Sequence, residues 1–434
     1  MKKWMGLLLS LTLVFTLAAC GGGGSQSQPA PTTGGDTPAT QTTDAGSELK
    51  PEPGAKLIVW EGKEQQAYLE EMGKAFEEKY GVPVEYQELG SADQMARVKQ
   101  DGPAGLGADV MMMPHDQLGE AVAAGLILPN DYYEEDTKKN FIPTAVDAVT
   151  FDGTMYGYPR NMETYLLYYN KNLVKAEDLQ SWDSIIKFAK GYNDVSKNKF
   201  GFMWEVNNWY FAYSFIGGYG GYIFGDNNTN PKDIGLNTPE AVEAMKFYAS
   251  LREILPINAT DASGDVKTEL FQSGKLPINL DGIWQMSNFT KEKLGFEVGA
   301  VPMPKLPNGK NPAPFAGVKS YFVSSFTQYP NAAKLFINFL TTEEALTKNA
   351  QMTGIIPARN GMENNAEIIK DERAKAFVEQ FKMAQPMPSI IEMRQVWGPA
   401  TATLELIWNG KDPKEVLDKA VNDMKTGIEQ QSKS

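Results

Sequence analysis

The sequence predicts an α/β protein whose body forms two lobes built on doubly wound sheets. Three observations predict it. A strand–helix–strand–helix–strand run begins at Lys56, further strand-like segments follow at 165–169, 277–280 and 320–324, and the 434 residues suffice for roughly two or three domain-sized units.

Taken in order, the chain opens with Lys2 and Lys3 ahead of an apolar run from Trp4 to Ala19. These are the charged and hydrophobic parts of an export signal, and the run is too short for a comfortable membrane span. It ends Leu17-Ala18-Ala19-Cys20-Gly21, which resembles the bacterial lipobox, and Cys20 is the single cysteine of the chain. The expectation is removal of residues 1–19, lipid on Cys20 and anchorage to the outer face of the cell membrane, as in a Gram-positive lipoprotein. A soluble secreted protein cleaved nearby is the alternative. Residues 21–54 are rich in Gly, Ser, Thr and Pro, with Leu49 the only large apolar side chain, so they read as a tether reaching roughly 30–35 Å.

The body begins with Leu57-Ile58-Val59-Trp60, a short apolar burst bounded by Gly54 and Gly62 and so a buried strand. Over 64–80, Leu69, Met72, Phe76 and Tyr80 share one helical face and Gly81 supplies the stop. A strand over 82–89, a short helix over 93–99 and a strand over 108–113 complete a βαβαβ unit. Such units stack into a mostly parallel sheet that binds ligands at the carboxyl ends of its strands, here Glu61-Gly62-Lys63 and Pro114-His115-Asp116-Gln117. Helices then start at Ser181 and at Thr238-Pro239. Two more carry capping signals, Thr341 with Glu344 and Asp412 with Glu415.

Composition excludes several chemistries. With one cysteine and one histidine, no Cys/His zinc site or disulfide framework can form within one chain, and no metal or cofactor is expected. A formal charge of −13 disfavours nucleic acid as a partner. There is no phosphate-binding loop, and Gly217-Gly218-Tyr219-Gly220-Gly221 does not follow a strand as a dinucleotide fingerprint would. His115 stands without a Gly-x-Ser-x-Gly elbow and reads as structural. Paired carboxylates could serve glycoside hydrolysis, but 54 acidic residues make accidental pairs common.

The aromatic residues carry more information. Nine of the twenty-one residues from Trp204 to Phe224 are aromatic, and most are expected in a core. Asn207-Asn208 leads directly into Trp209-Tyr210-Phe211, however, so not every ring can face one core. Trp284 and Trp397 likewise sit beside turn signals. Flat rings at loop edges suit a sugar, whose C–H face packs on the ring while carboxylates and amides take its hydroxyl protons.

From about Lys56 to the C-terminus the chain resembles extracellular solute-binding proteins of ABC importers, and most closely the maltose/maltodextrin-binding family. The segments LIVWEGKEQQAYLEEMGKAFEEKYG, ADVMMMPHDQLGEAVAAGLI, YGYPRNMETYLLYYNKNLV, INLDGIWQMSN, PFAGVKSYFV and PMPSIIEMRQVWGPA carry the resemblance. It implies a periplasmic-binding-protein-like fold with a hinge between lobes, roughly 55–161 with 322–366 and 166–315 with 373–434, crossing near 161–166 and 317–322. It implies a monomer that closes on maltose or a longer maltodextrin and then docks on a permease, without chemistry on the sugar.

Carried over by position, Asp116 matches an acceptor of sugar hydroxyls and Glu163 a glutamate near the hinge. Tyr210, Trp284 and Trp397 match stacking rings, and Glu61 and Lys63 fall in a loop of polar contacts. Met113, Trp209, Phe211 and Met387 are also placed at the ligand. Met113, Gln117, Gly398 and Thr401 depart from residues found in some members, and the loop after Trp60 is one residue shorter, which affects the preferred oligosaccharide length. A cyclic glucan or β-linked oligosaccharide receptor, a surface glycoside hydrolase and an adhesin are the competing readings.

Overall fold

A computed structural model describes residues 49–433; the export segment, Cys20 and the tether up to Glu48 lie outside the described residues. The strands of the two principal sheets are Leu57–Glu61 (β1), Val84–Glu88 (β2), Val110–Pro114 (β3), Tyr158–Glu163 (β4), Tyr165–Asn170 (β5), Phe202–Met203 (β6), Ile278–Gly282 (β7), Val298–Val301 (β8), Phe315–Val323 (β9), Ile356–Pro357 (β10) and Gln385–Pro386 (β11). They form two principal sheets, one in the order β10-β4-β9-β3-β1-β2 with β11 beside β9, the other β8-β5-β7-β6.

The expected parallel unit is present, since β1 pairs in parallel with both β2 and β3. Beyond it the expectation of a mostly parallel sheet gives way to mixed sheets. Strand β9 runs antiparallel to β3 and β4, and β5 runs antiparallel to β7 and β8. The reason lies in connectivity. Only Thr164 separates β4 from β5, which nevertheless belong to different sheets. A strand arriving from another sheet escapes the right-handed helical crossover that forces parallel pairing. Strand β9 also bridges. Its Phe315 packs in the core of the second sheet, and from Gly317 to Val323 it pairs with β4 and β3. Pairing with the first sheet thus starts earlier than residue 322.

The principal helices are Gln66–Tyr80 (α1), Gln94–Asp101 (α2), Trp182–Tyr192 (α3), Trp209–Tyr219 (α4), Pro239–Ser250 (α5), Gly264–Gln272 (α6), Pro330–Leu340 (α7), Glu343–Thr353 (α8), Arg394–Trp408 (α9) and Pro413–Gln431 (α10). Both faces of the first sheet are covered. Leu57, Val59, Val110 and Met112 pack with Tyr68, Leu69 and Phe76 of α1 and Phe336 of α7, while Trp60, Met111, Met113 and Phe322 turn to the other face with Val98 and Leu118. This alternation is the period-two geometry of a strand buried on both sides. The second sheet packs Leu167, Phe202 and Leu280 against Trp182, Phe215, Tyr248 and Trp408.

Two boundaries shift. The helix α8 is capped by Thr342, which accepts from the Ala345 N–H, rather than by Thr341, whose hydroxyl donates to the Ile337 carbonyl at the end of α7. The tether stops short of Gly54. Leu49 packs on the first core, and the Glu52 carboxylate accepts the Asn331 and Ala332 N–H groups at 2.7 and 3.0 Å at the start of α7. An anion at a helix N-terminus meets both orphan donors and the macrodipole, a long-range partner that composition does not reveal. Asp412 caps α10 as expected, accepting from Glu415 N–H at 3.0 Å.

Candidate functional site

A cleft of about 610 Å³ opens where the loops after β1, β2 and β3 meet the start of α4, the turn after β7 and the N-terminal part of α9. The first set contributes Gly62, Glu64, Ser91, Asp116 and Gln117, with Glu163 at the end of β4 and Lys319 from β9. The second contributes Asn208, Tyr210, Trp284 and Trp397, with Met387 from the chain just after β11. The carboxyl ends of parallel strands are thus where the site lies.

One wall is aromatic. Ring centroids step from Trp284 to Tyr210 at 6.2 Å, from Tyr210 to Phe315 at 5.9 Å and from Phe315 to Trp397 at 6.0 Å. Phe315 is fully buried and stacks flat on Tyr213, centroids 4.0 Å apart. It is the support for rings that are open to the cleft. Tyr210 is aimed by its helix: Asn208 caps α4 by accepting the Tyr210 N–H at 3.0 Å. Trp284 lies against the chain at Gly282, where an added Cβ would come within 2.1 Å of the indole.

The opposite wall is polar. Trp397 Nε1 donates to Asp116 Oδ2 at 3.1 Å, and the other carboxylate oxygen is buried without a partner. Burial pushes the Asp116 carboxyl up to about 6, partly opposed by that indole N–H. Glu163 lies 3.6 Å from Lys319 Nζ and accepts from Asn161 Nδ2 at 3.4 Å. The Gln117 side-chain oxygen and the Tyr210 hydroxyl are also buried without partners. Unmatched acceptors facing flat rings can take hydroxyl donors from a ligand while the rings cover its apolar face.

Six of the expected ligand residues, Asp116, Glu163, Tyr210, Trp284, Met387 and Trp397, come together here. Five do not. Glu61 is buried behind the wall in an ion pair with Arg160 at 2.5 Å, and burial raises its pKa against the pull of that guanidinium. Met113 faces the core beneath the first sheet. Trp209 and Phe211 flank Tyr210, but a helix turns about 100° per residue, so its neighbours point into the core. Lys63 is exposed and outside the lining. His115 is structural, as expected: its Nδ1 accepts the Val318 N–H and its Nε2 faces the Met387 carbonyl, both at 3.1 Å, and burial lowers its pKa to about 4. Sequence reasoning missed Glu64, Ser91, Lys319 and the supporting Phe315. Lys319 carried a signal, as the only charge within the strand FAGVKSYFV.

Among the described residues no group of His, Cys, Asp and Glu side chains could hold a metal ion. The family model for bacterial extracellular solute-binding proteins matches residues 71–376. A galactooligosaccharide-binding protein of Bacillus subtilis is 34% identical, the alignment covering 98% of this chain and 97% of the relative. The maltodextrin-binding protein MdxE of the same organism is 31% identical, over 98% and 96%. Among solved structures, a cyclo/maltodextrin-binding protein complexed with maltotetraose superposes with a TM-score of 0.72 at 34% identity, covering 86% of this chain and 97% of that one. MalX from Streptococcus pneumoniae in complex with maltopentaose gives 0.79 at 29% identity, covering 86% and 100%. By a family match over most of its length, by relatives that align nearly end to end and by its fold, this chain belongs to the bacterial extracellular solute-binding proteins.

Proposed function

We propose that the protein captures maltodextrins outside the cell and hands them to the permease of an ABC importer. The observation that carries the reading is the cleft itself, in which Tyr210, Trp284 and Trp397 face the acceptors Asp116 and Glu163. Aromatic faces paired with the unmatched oxygens of Asp116 and Gln117 fit a neutral polyhydroxylated ring better than an anion or an apolar ligand. The maltodextrin ligands named for several relatives and structural neighbours support the choice of sugar. The lobes are taken to be those joined at Thr164 and through β9, closing about these strands so that both halves of the cleft meet the ligand. Lipid on Cys20 would hold the protein at the membrane, in keeping with streptococcal relatives named as lipoproteins.

A second reading is a galactooligosaccharide receptor, favoured by the 34% identical Bacillus relative of that name. Calorimetry against maltose, maltotriose, longer maltodextrins, a cyclic glucan and galactooligosaccharides separates the two. Maltodextrins are expected to bind, to be returned intact and to lose about 1–3 kcal/mol of binding free energy with Trp284→Ala or Trp397→Ala. Binding of galactooligosaccharides alone would select the second reading.

A further inference from the structure

Two buried acid–base pairs occupy matching positions behind the cleft. At the end of β1, Glu61 accepts the Gly62 N–H at 2.9 Å through Oε1 and pairs with Arg160 at 2.5 Å through Oε2. At the end of β7, Asp281 accepts the Gly282 N–H at 2.8 Å through Oδ1 and pairs with Lys267 of α6 at 2.9 Å through Oδ2. All four side chains are at most 2% exposed. In each case the acid is the last or penultimate residue of its strand, the next residue is glycine, and a short 3₁₀ turn follows whose residues line the cleft, Glu64 in one and Trp284 in the other.

Each cation also braces a neighbour of the ligand wall. Arg160 Nε donates to Asn161 Oδ1 at 2.7 Å, and Asn161 in turn donates to Glu163. Lys267 Nζ donates to the Leu280 carbonyl at 3.0 Å and lies 4.7 Å from the centre of the Phe211 ring, beside Tyr210. A buried ion pair is a poor source of stability compared with apolar packing, since desolvation offsets most of its attraction. Two such pairs at equivalent strand ends, each gripping the backbone that opens a wall of the cleft, have a use in holding that wall rigid.

We propose that Glu61–Arg160 and Asp281–Lys267 are positioning pairs, one fixing Glu163 and the loop 62–64, the other fixing Trp284. None of the four touches the ligand. The proposal rests on the sugar-binding reading of the cleft, and its test is a crossed set of double-mutant cycles. The variants E61Q/R160M and K267M/D281N neutralise each pair without leaving a lone buried charge. Calorimetry with maltotriose is run on each, alone and combined with E163Q or W284A.

Each neutralised pair is expected to weaken binding about tenfold or more. The cost of E163Q should shrink in the E61Q/R160M background and stay whole in the other, and the cost of W284A should do the reverse. Four additive cycles, or equal non-additivity in all four, would overturn the proposal, the latter because it signals general loosening. If the wild-type protein binds no sugar of the panel, the reading of the cleft fails, and crystal structures of the ligand-free variants then decide the pairs. Glu163 and Trp284 in unaltered places would overturn the proposal, and displacement of each by its own pair alone would support it.

Discussion

Asp116 combines a buried unpartnered oxygen with a carboxyl raised to about 6, and these two facts set a pH dependence. The folded-state pKa lies above the ordinary value of 3.8, so the stability owed to the neutral form is present at low pH and lost as pH rises through about 6. A sugar hydroxyl donating to the carboxylate favours the charged form instead. Affinity for maltotriose is therefore expected to fall as pH falls through about 6, with proton release on binding near that pH. Calorimetry at several pH values checks this, and Asp116→Asn should bind more weakly and with a flat profile. An unchanged slope in that variant would assign the titration to another group. At this scale the sequence, read with the family resemblance, was informative for residues that end on the cleft, such as Trp284 and Trp397. It misled for Glu61, because a carboxylate at a strand end looks the same whether it meets a ligand or a buried arginine 99 positions away.

The elements explain how three rings become one surface. Helix α4 is apolar nearly all round, and only its cap at Asn208 and its packing decide that Tyr210, not Trp209 or Phe211, faces the cleft. Phe315 at the start of β9 carries Tyr210 on one side and Trp397 on the other. Phe315→Ala is expected to cost about 3–5 kcal/mol of stability, measured by chemical denaturation, and also to weaken sugar binding although this ring is fully buried. Unaltered affinity in a folded variant would show that the platform rings hold their places without it. Caps were legible where a single local residue satisfies the helix, as at Asp412 and Thr238. The cap that Glu52 gives α7 was not, because donor and acceptor stand 279 positions apart.

For the molecule as a whole, the two sheets are joined by the direct passage from β4 to β5 through Thr164 and by the span of β9, and the proposed closure would turn about these connections. Under the proposed function, ligand contacts divided between the two sides of the cleft would give the closed form a differential affinity, which is what shifts a population toward it. Small-angle X-ray scattering is expected to show a smaller radius of gyration with saturating maltotriose than without, and no change would count against hinge closure. The sequence by itself determined the α/β class, the first βαβαβ unit, the aromatic surplus and six of the residues that line the cleft, because hydrophobic period, turn residues and family segments are local signals. Tertiary structure alone decided that the sheets are mixed, that Arg160 and Lys267 stand behind the walls, and that Phe315 joins the rings. Those outcomes depend on contacts between distant segments, and burial, which converts a charged side chain from a ligand contact into a buried partner, is a property of the packed chain rather than of any stretch of it.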